Sequence, residues 1–384
     1  MRVLMTGGGT GGHVNPALAI ANTIKMNIHG SEIAFVGTER GLENDLVPKA
    51  GYELYHVDVR GFRRSFSLRS MAYNARAAWL AATSPIKAKK LIKEFKPDIV
   101  IGTGGYVCWP VLVAASRAKI PTAVHESNAV PGLAVRKLEP YVDRIFVNFA
   151  ASADQLTEKE KIMQVGCPLN NGYGDMSREE ARKILGLPDT CKKYVVSFGG
   201  SLGADRMNAA ALELIGGYLK DHPETYFIHA TGAGHFNQVN EEFTEAGFDK
   251  LSNVTLTEYI YDMPVRMAAA DLVISRAGAI TLSELSRLGK AAVLIPSPNV
   301  TDNQQYKNAK VFSDGGGAVL IEEKDLGEGT LAAEVSALLS SPGRLEEMSR
   351  RISGFSPKDS EKLIFDEVVR LVNDNQKKNK SGRD

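Results

Sequence analysis

His13 follows Thr6-Gly7-Gly8-Gly9-Thr10-Gly11-Gly12, which itself follows the apolar run Val3-Leu4-Met5. An imidazole exchanges protons near neutral pH. A glycine-rich turn from strand to helix lets backbone N–H groups come close to a ligand, with the positive end of the helix behind them. Anionic oxygens or sugar hydroxyls suit such a loop, and a base beside them suits group transfer. The same glycines satisfy the dinucleotide fingerprint G-x-G-x-x-G, which on its own is a weak signal. A dinucleotide site also expects an acid closing the second strand, to hold ribose. Here that strand runs into Gly37-Thr38 and Glu39 comes late. The plainer alternative for His13 is a helix-start imidazole satisfied by backbone.

A second set lies at Arg276-Ala277-Gly278-Ala279-Ile280-Thr281-Leu282-Ser283-Glu284. It follows an apolar run and enters a helical pattern, so its amides face a ligand and Glu284 lies about one turn inside. A carboxylate there can grip a vicinal diol such as ribose, or simply favour the helix dipole. Downstream, Asp302-Asn303-Gln304-Gln305-Tyr306 offers consecutive side-chain amides suited to sugar hydroxyls. Taken alone it also reads as a solvated loop.

Short apolar runs alternating with helical patterns must position these groups, and that alternation implies parallel sheets covered by helices. Strands are expected at residues 3–5, 32–36, 54–57, 99–102, 122–125 and 144–147, then at 194–198, 226–230, 254–257, 272–275, 292–295 and 317–321. The first helix is expected from Pro16 to about Lys25. Both series open with a strand, a glycine-rich turn and a helix, the second turn being Gly199-Gly200-Ser201-Leu202-Gly203-Ala204. The fold class is therefore α/β, with two Rossmann-like, doubly wound domains in tandem. A last strand of the first domain ends at Val165-Gly166-Cys167-Pro168, which places the domains at 1–166 and 167–354. Ligands of open parallel sheets bind beyond the carboxyl ends of the strands. Glycine-rich turns at that edge in both halves, Thr103-Gly104-Gly105 among them, suggest a cleft for two substrates, one per domain.

Composition agrees: 384 residues, 43% apolar and 24% charged, exceed what one core supports and are ordinary for a globular enzyme. Cys108, Cys167 and Cys191 are odd in number and lack metal-like spacing, so a reducing compartment is expected, with neither disulfide nor zinc. No secretion signal or membrane-spanning run is seen, which suggests a cytosolic protein or one bound to a membrane from that side. Residues 60–96 hold ten lysines or arginines against one acid, Glu94, in a chain of net charge +1. Phe62, Arg63, Arg64, Trp79, Lys87, Lys89 and Lys90 would form the centre of a patch for an anionic membrane surface. The alternative is a solvated helix whose apolar side is core. Residues 373–384 are expected to be a disordered tail.

Together the opening Gly-Gly-Thr-Gly-Gly-His, the segment His125-Glu126-Ser127-Asn128, the second glycine-rich turn, the stretch around Glu284 and Asp302-Asn303-Gln304-Gln305-Tyr306 resemble the MurG family. These are GT-B glycosyltransferases that add N-acetylglucosamine to lipid I, and the resemblance spans residues 1 to about 370 with the motifs in order. It implies an inverting transferase of peptidoglycan synthesis. N-acetylglucosamine would pass from UDP-N-acetylglucosamine to the C4 hydroxyl of the N-acetylmuramic acid of lipid I, giving lipid II. It further implies that Ser201 and its loop amides meet the diphosphate, the backbone of Ile260 the uracil, and Glu284 the ribose. Gln304 and Gln305 would read the sugar hydroxyls, while Ala279, Ile280, Thr281, Leu282 and Ser283 line sugar and phosphate. Thr10, Gly11, Gly12 and Asn128 would close over the reacting centre. His13 would be the general base, with Glu126 as supporting acid or rival base. The family usually carries an arginine two residues after a Gly-Asn-Pro motif at the domain junction, whereas this chain has neutral Asn170 there as a donor contact. The helix at about 355–372 would cross back onto the first domain. No cofactor and no metal are implied, since no Asp-x-Asp occurs, and no nucleic-acid partner. The implied location is peripheral, on the cytoplasmic face of the cell membrane. A nicotinamide-dependent oxidoreductase, a GT-B-like sugar-nucleotide epimerase and an inert UDP-sugar receptor are the competing readings.

Overall fold

The computed structural model describes residues 1–59, 68–169, 173 and 176–381. The chain forms two units, Met1–Asn170 with Ser356–Asp384, and Asn171–Phe355.

In the first unit seven strands form one parallel sheet: β1 (Arg2–Thr6), β2 (Glu32–Gly37), β3 (Glu53–His56), β4 (Ile99–Gly102), β5 (Thr122–Glu126), β6 (Arg144–Val147) and β7 (Ile162–Gln164). Their spatial order is β3-β2-β1-β4-β5-β6-β7. The strands read as continuous apolar runs because helices cover both faces, as all-parallel sheets require. Side chains alternate between two cores. Leu4, Val100, Val124 and Ile145 point to one, and Val3, Met5, Ile99, Ile101, Ala123 and Phe146 to the other. The second core also takes Ile364, Val368 and Val372 of the C-terminal helix Ser360–Ser381. In the second unit, six parallel strands follow the same plan: β8 (Lys193–Phe198), β9 (Thr225–Ala230), β10 (Val254–Thr257), β11 (Leu272–Ser275), β12 (Ala292–Leu294) and β13 (Ala318–Leu320). Their order is β10-β9-β8-β11-β12-β13.

Each sheet reverses its strand order once, between β1 and β4 and between β8 and β11. The crevice outside such a reversal is where open α/β sheets bind ligands. The turns carrying the chemistry, residues 7–12, 103–105, 199–204 and 276–278, leave the strands at those two places.

Two expectations are corrected. The first helix spans Gly11–Asn27, so Gly11, Gly12 and His13 form its opening turn rather than a loop before Pro16. Two adjacent glycines are poor helix formers, which hid the earlier start. Residues 373–381, read as a disordered tail, continue the helix Ser360–Ser381. Arg370 bonds both Glu367 and Asp374 at 2.7 Å, and Lys378 and Lys380 occupy the last turn, where cations favour the helix dipole.

Candidate active site

The turn after β1 is shaped around an internal carboxylate and an imidazole. His13 Nδ1 lies 3.0 Å from the Gly8 carbonyl oxygen. A carbonyl only accepts, so Nδ1–H is the donor and the neutral ring keeps an unprotonated Nε2. Gly104 and Gly105 have φ of +113° and +87°, and a Cβ on Gly104 would fall 2.5 Å from the His13 ring. Glycine is needed there both for the backbone and for the imidazole. Thr103 donates its hydroxyl to the His13 carbonyl at 2.7 Å, tying the turn after β4 to the start of the helix. Glu43, completely buried, accepts from the Gly9 amide at 2.8 Å and from the Thr38 amide and hydroxyl at 3.0 and 2.9 Å. Burial pushes its carboxyl up, but these donors more than offset that and hold it below its ordinary pKa.

Glu126 ends β5 and is buried. Oε1 accepts from the Asn128 amide and side chain, both at 2.9 Å, and Oε2 from the Gly132 amide at 2.7 Å. Burial raises its pKa, opposed by those N–H groups and by the charge of His13, so the two ionisable groups sense each other. His125 is structural: Nε2 donates to the Gly166 carbonyl at 2.8 Å, and burial lowers its pKa to about 4.

In the second unit the glycines serve backbone packing. Gly203 and Gly232 have φ of +78° and +84°, and a Cβ on Gly203 would meet the Thr231 carbonyl oxygen at 1.9 Å. The two loops therefore touch through their main chains and leave Ser201 and Leu202 exposed. The helices Asp205–Gly217 and Ala279–Leu288 both begin without a side-chain cap, so their first amides are available to a ligand. Glu284, one turn into the latter, is partly buried, and desolvation raises its pKa to about 7, with the Tyr173 hydroxyl bonded to it. Leu282 is core, its amide donating to the Gly278 carbonyl at 3.0 Å, and the Ser283 hydroxyl donates to the Ala279 carbonyl at 2.7 Å, so neither side chain is presented to a ligand. Ile260 is buried between exposed Tyr259 and Tyr261, whose rings stand edge to face at 4.9 Å. Asp302 and Asn303 have φ of +61° and +50°. That kink starts the helix Gln304–Asp314, whose Gln305 Oε1 accepts from the Ser297 amide at 2.8 Å.

The structure thus places Thr10, Gly11, Gly12, His13, Glu126 and Asn128 in one unit, and Ser201, Ile260, the stretch Ala279 to Glu284, Gln304 and Gln305 in the other. Asn170, Phe62, Arg63 and Arg64 lie outside the described residues. In the helix Leu68–Phe95, Ser84, Ala88, Ile92 and Phe95 face the core while Trp79 and Ile86 are 64% and 71% exposed. Lys87, Lys89 and Lys90 are exposed too, Lys87 pairing with Asp58 and Lys90 with Glu94 at 3.8 Å. Among the described residues no group of His, Cys, Asp and Glu could hold a metal ion, and no helix is long and apolar enough to cross a membrane.

Sequence reasoning missed Glu43 and Tyr173. Both sit in unremarkable surroundings, and only the fold brings Glu43 to Gly9 and Tyr173 to Glu284.

The N-terminal domain model of glycosyltransferase family 28 matches residues 3–147, and its C-terminal domain model matches residues 194–364. This chain belongs to glycosyltransferase family 28. A relative from Acetivibrio thermocellus, a UDP-N-acetylglucosamine--N-acetylmuramyl-(pentapeptide) pyrophosphoryl-undecaprenol N-acetylglucosamine transferase, is 42% identical, covering 98% of this chain and 99% of that protein. Among solved structures, MurG from Acinetobacter baumannii superposes with a TM-score of 0.75 at 26% identity, covering 98% of this chain and 99% of that one. A UDP-GlcNAc 2-epimerase from Neisseria meningitidis, at 15% identity and a TM-score of 0.63, covers 96% of this chain and 100% of that one. It shares the fold with family 28.

Proposed function

We propose that this family 28 protein transfers N-acetylglucosamine from UDP-N-acetylglucosamine to the C4 hydroxyl of the N-acetylmuramic acid in lipid I, forming lipid II. What carries the reading is the 42% identity along 98% of the chain to a transferase of that name. In the first unit, His13 has a tautomer suited to taking a proton from a sugar hydroxyl.

The second unit holds the donor: Glu284 the ribose, the backbone of Ile260 the uracil, Gln304 and Gln305 the sugar. Ser201 and the uncapped helix starts hold the diphosphate. As the bond from C1 to the phosphate oxygen breaks, its electron pair passes to UDP, and aimed amides stabilise that charge. The C4 oxygen attacks the opposite face of C1, turning an α donor into a β product, and its proton goes to Nε2 of His13. Glu126 favours the imidazolium that results. Thr10, Gly11, Gly12 and Asn128 are assigned to UDP-N-acetylglucosamine at the reacting centre, and Asn170 is assigned as a further donor contact.

We also assign the exposed Trp79, Ile86 and Lys89, with Lys87 and Lys90 and, from the sequence, Phe62, Arg63 and Arg64, to an anionic membrane surface on the cytoplasmic face. Basic groups and half-inserted apolar side chains are the usual means of such peripheral binding. Incubation with UDP-N-acetylglucosamine and a short-chain lipid I, followed by mass and NMR analysis, is expected to give a β-linked disaccharide lipid. Recovery of a 2-epimerised UDP-sugar instead would favour the epimerase reading.

A further inference from the structure

We propose that Glu43 is a positioning residue for His13, acting through the glycine turn, and this rests on the assignment of His13 as base. The carboxylate holds the turn from one side: Oε2 accepts from the Gly9 amide and Oε1 from the Thr38 amide and hydroxyl. Three glycines make room for it. A Cβ on Gly8 would meet Oε1 at 2.5 Å, one on Gly41 would meet Oε2 at 2.2 Å, and one on Gly37 would meet the Glu43 Cγ at 2.7 Å. The peptide plane fixed by this clamp joins Gly8 to Gly9, so the bond to the Gly9 N–H also aims the Gly8 carbonyl. That carbonyl accepts from His13 Nδ1 at 3.0 Å and so sets both the tautomer and the direction of Nε2. On the far side, a Cβ on Gly105 would reach the Gly8 oxygen at 2.7 Å, leaving the carbonyl little room to move. The clamp is itself braced by Asn44, which donates to the Thr38 and Gly41 carbonyls at 3.0 and 3.1 Å.

The test is a double-mutant cycle of Glu43→Gln and His13→Ala, read as kcat for acceptor-dependent UDP release with the Kd for UDP in parallel. Glutamine keeps the shape but turns an NH2 toward one of the three donors. Misplacing a reacting group by about 1 Å can cost roughly 10²-fold in rate. We expect Glu43→Gln to lower kcat by about 10- to 100-fold with UDP affinity within twofold, and to lower it no further in the His13→Ala background. Equal losses in both backgrounds would overturn the proposal, because a merely structural role multiplies independently. Unchanged kcat in Glu43→Gln would overturn it as well. If His13→Ala itself keeps full turnover, the base assignment fails instead, and the two failures are distinct. Should Glu43→Gln not fold, Thr38→Val, which removes one donor from the clamp, gives the same cycle with a loss of about threefold to fivefold.

Discussion

After β1 the Gly9 amide is held by the carboxylate of Glu43, and the glycines open space for that carboxylate and for the His13 ring. After β8, by contrast, the glycines let two loops touch main chain to main chain, while the helices behind both turns, Gly11–Asn27 and Asp205–Gly217, start without a side-chain cap. Two turns that look alike as strand, glycines and helix are therefore built around different contacts. In the first turn the Gly9 amide is satisfied from within, which suits a frame for a base. In the second the glycines serve packing between loops, and the proposed function gives the helix start behind them to an anion. The two key carboxylates repeat the contrast. Glu126 is saturated by three N–H donors, whereas Glu284 has the Tyr173 hydroxyl and lone pairs left for a diol. In the proposed function, chemistry falls to the first unit and recognition of the nucleotide mainly to the second.

The strongest way to break this contrast is His13→Ala. A positioned general base is worth about 10² to 10⁴ in rate, so turnover should fall by that order while calorimetry shows UDP affinity unchanged. Next come the paired variants Glu284→Gln and Glu126→Gln. Hydrogen bonds to a charged acceptor are worth about 1.5–3 kcal/mol, so Glu284→Gln should weaken UDP binding roughly tenfold or more. Glu126→Gln should leave UDP affinity alone and lower the melting temperature, because its NH2 would face buried donors at a cost of about 1–3 kcal/mol. A smaller effect is expected for Lys89→Gln, since one basic group is worth about 1 kcal/mol at an anionic surface. Sedimentation with anionic vesicles should show roughly fivefold weaker binding at low salt, and Lys310→Gln in the second unit should show none. Equal binding to neutral and anionic vesicles by the parent protein would end the membrane assignment.

The smallest effect is a pH dependence. Burial raises the Glu284 pKa to about 7, so its ionised form is disfavoured in the fold. Stability from this group is therefore present at low pH and is lost as pH climbs through about 7. Ribose hydroxyls favour the ionised form, so UDP affinity should rise by a few-fold from about pH 6 to pH 8. Glu284→Gln should flatten that rise in a titration series.

The sheets were legible because parallel strands buried on both faces leave unbroken apolar runs, such as Ile99 to Gly102 between Pro97-Asp98 and Thr103-Gly104-Gly105. The turns were legible because close backbone approach demands glycine, and their positions named His13 and Glu284 as candidates, whereas Ser201 came from the family resemblance. Propensity misjudged the start of the first helix, where tertiary contacts to Thr103 and Gly104 hold two glycines in helical form. The Glu43 clamp was not legible, since an acid at the start of the short helix Glu43–Lys49 reads as a favourable dipole partner. Its contact with Gly9 is 34 residues away in sequence. Glu126 was singled out only by the family resemblance: the strand was expected to end at His125, and neither its place at the end of β5 nor the occupancy of both oxygens by amides was legible.

The division between a catalytic unit and a donor-binding unit is tested most directly by UDP release from UDP-N-acetylglucosamine, with and without a lipid I analogue, in detergent and without added metal. Release that requires the acceptor and disappears in His13→Ala, with UDP still bound, is the expected result. Release from UDP-N-acetylglucosamine alone at the same rate, or full turnover without His13, would contradict it.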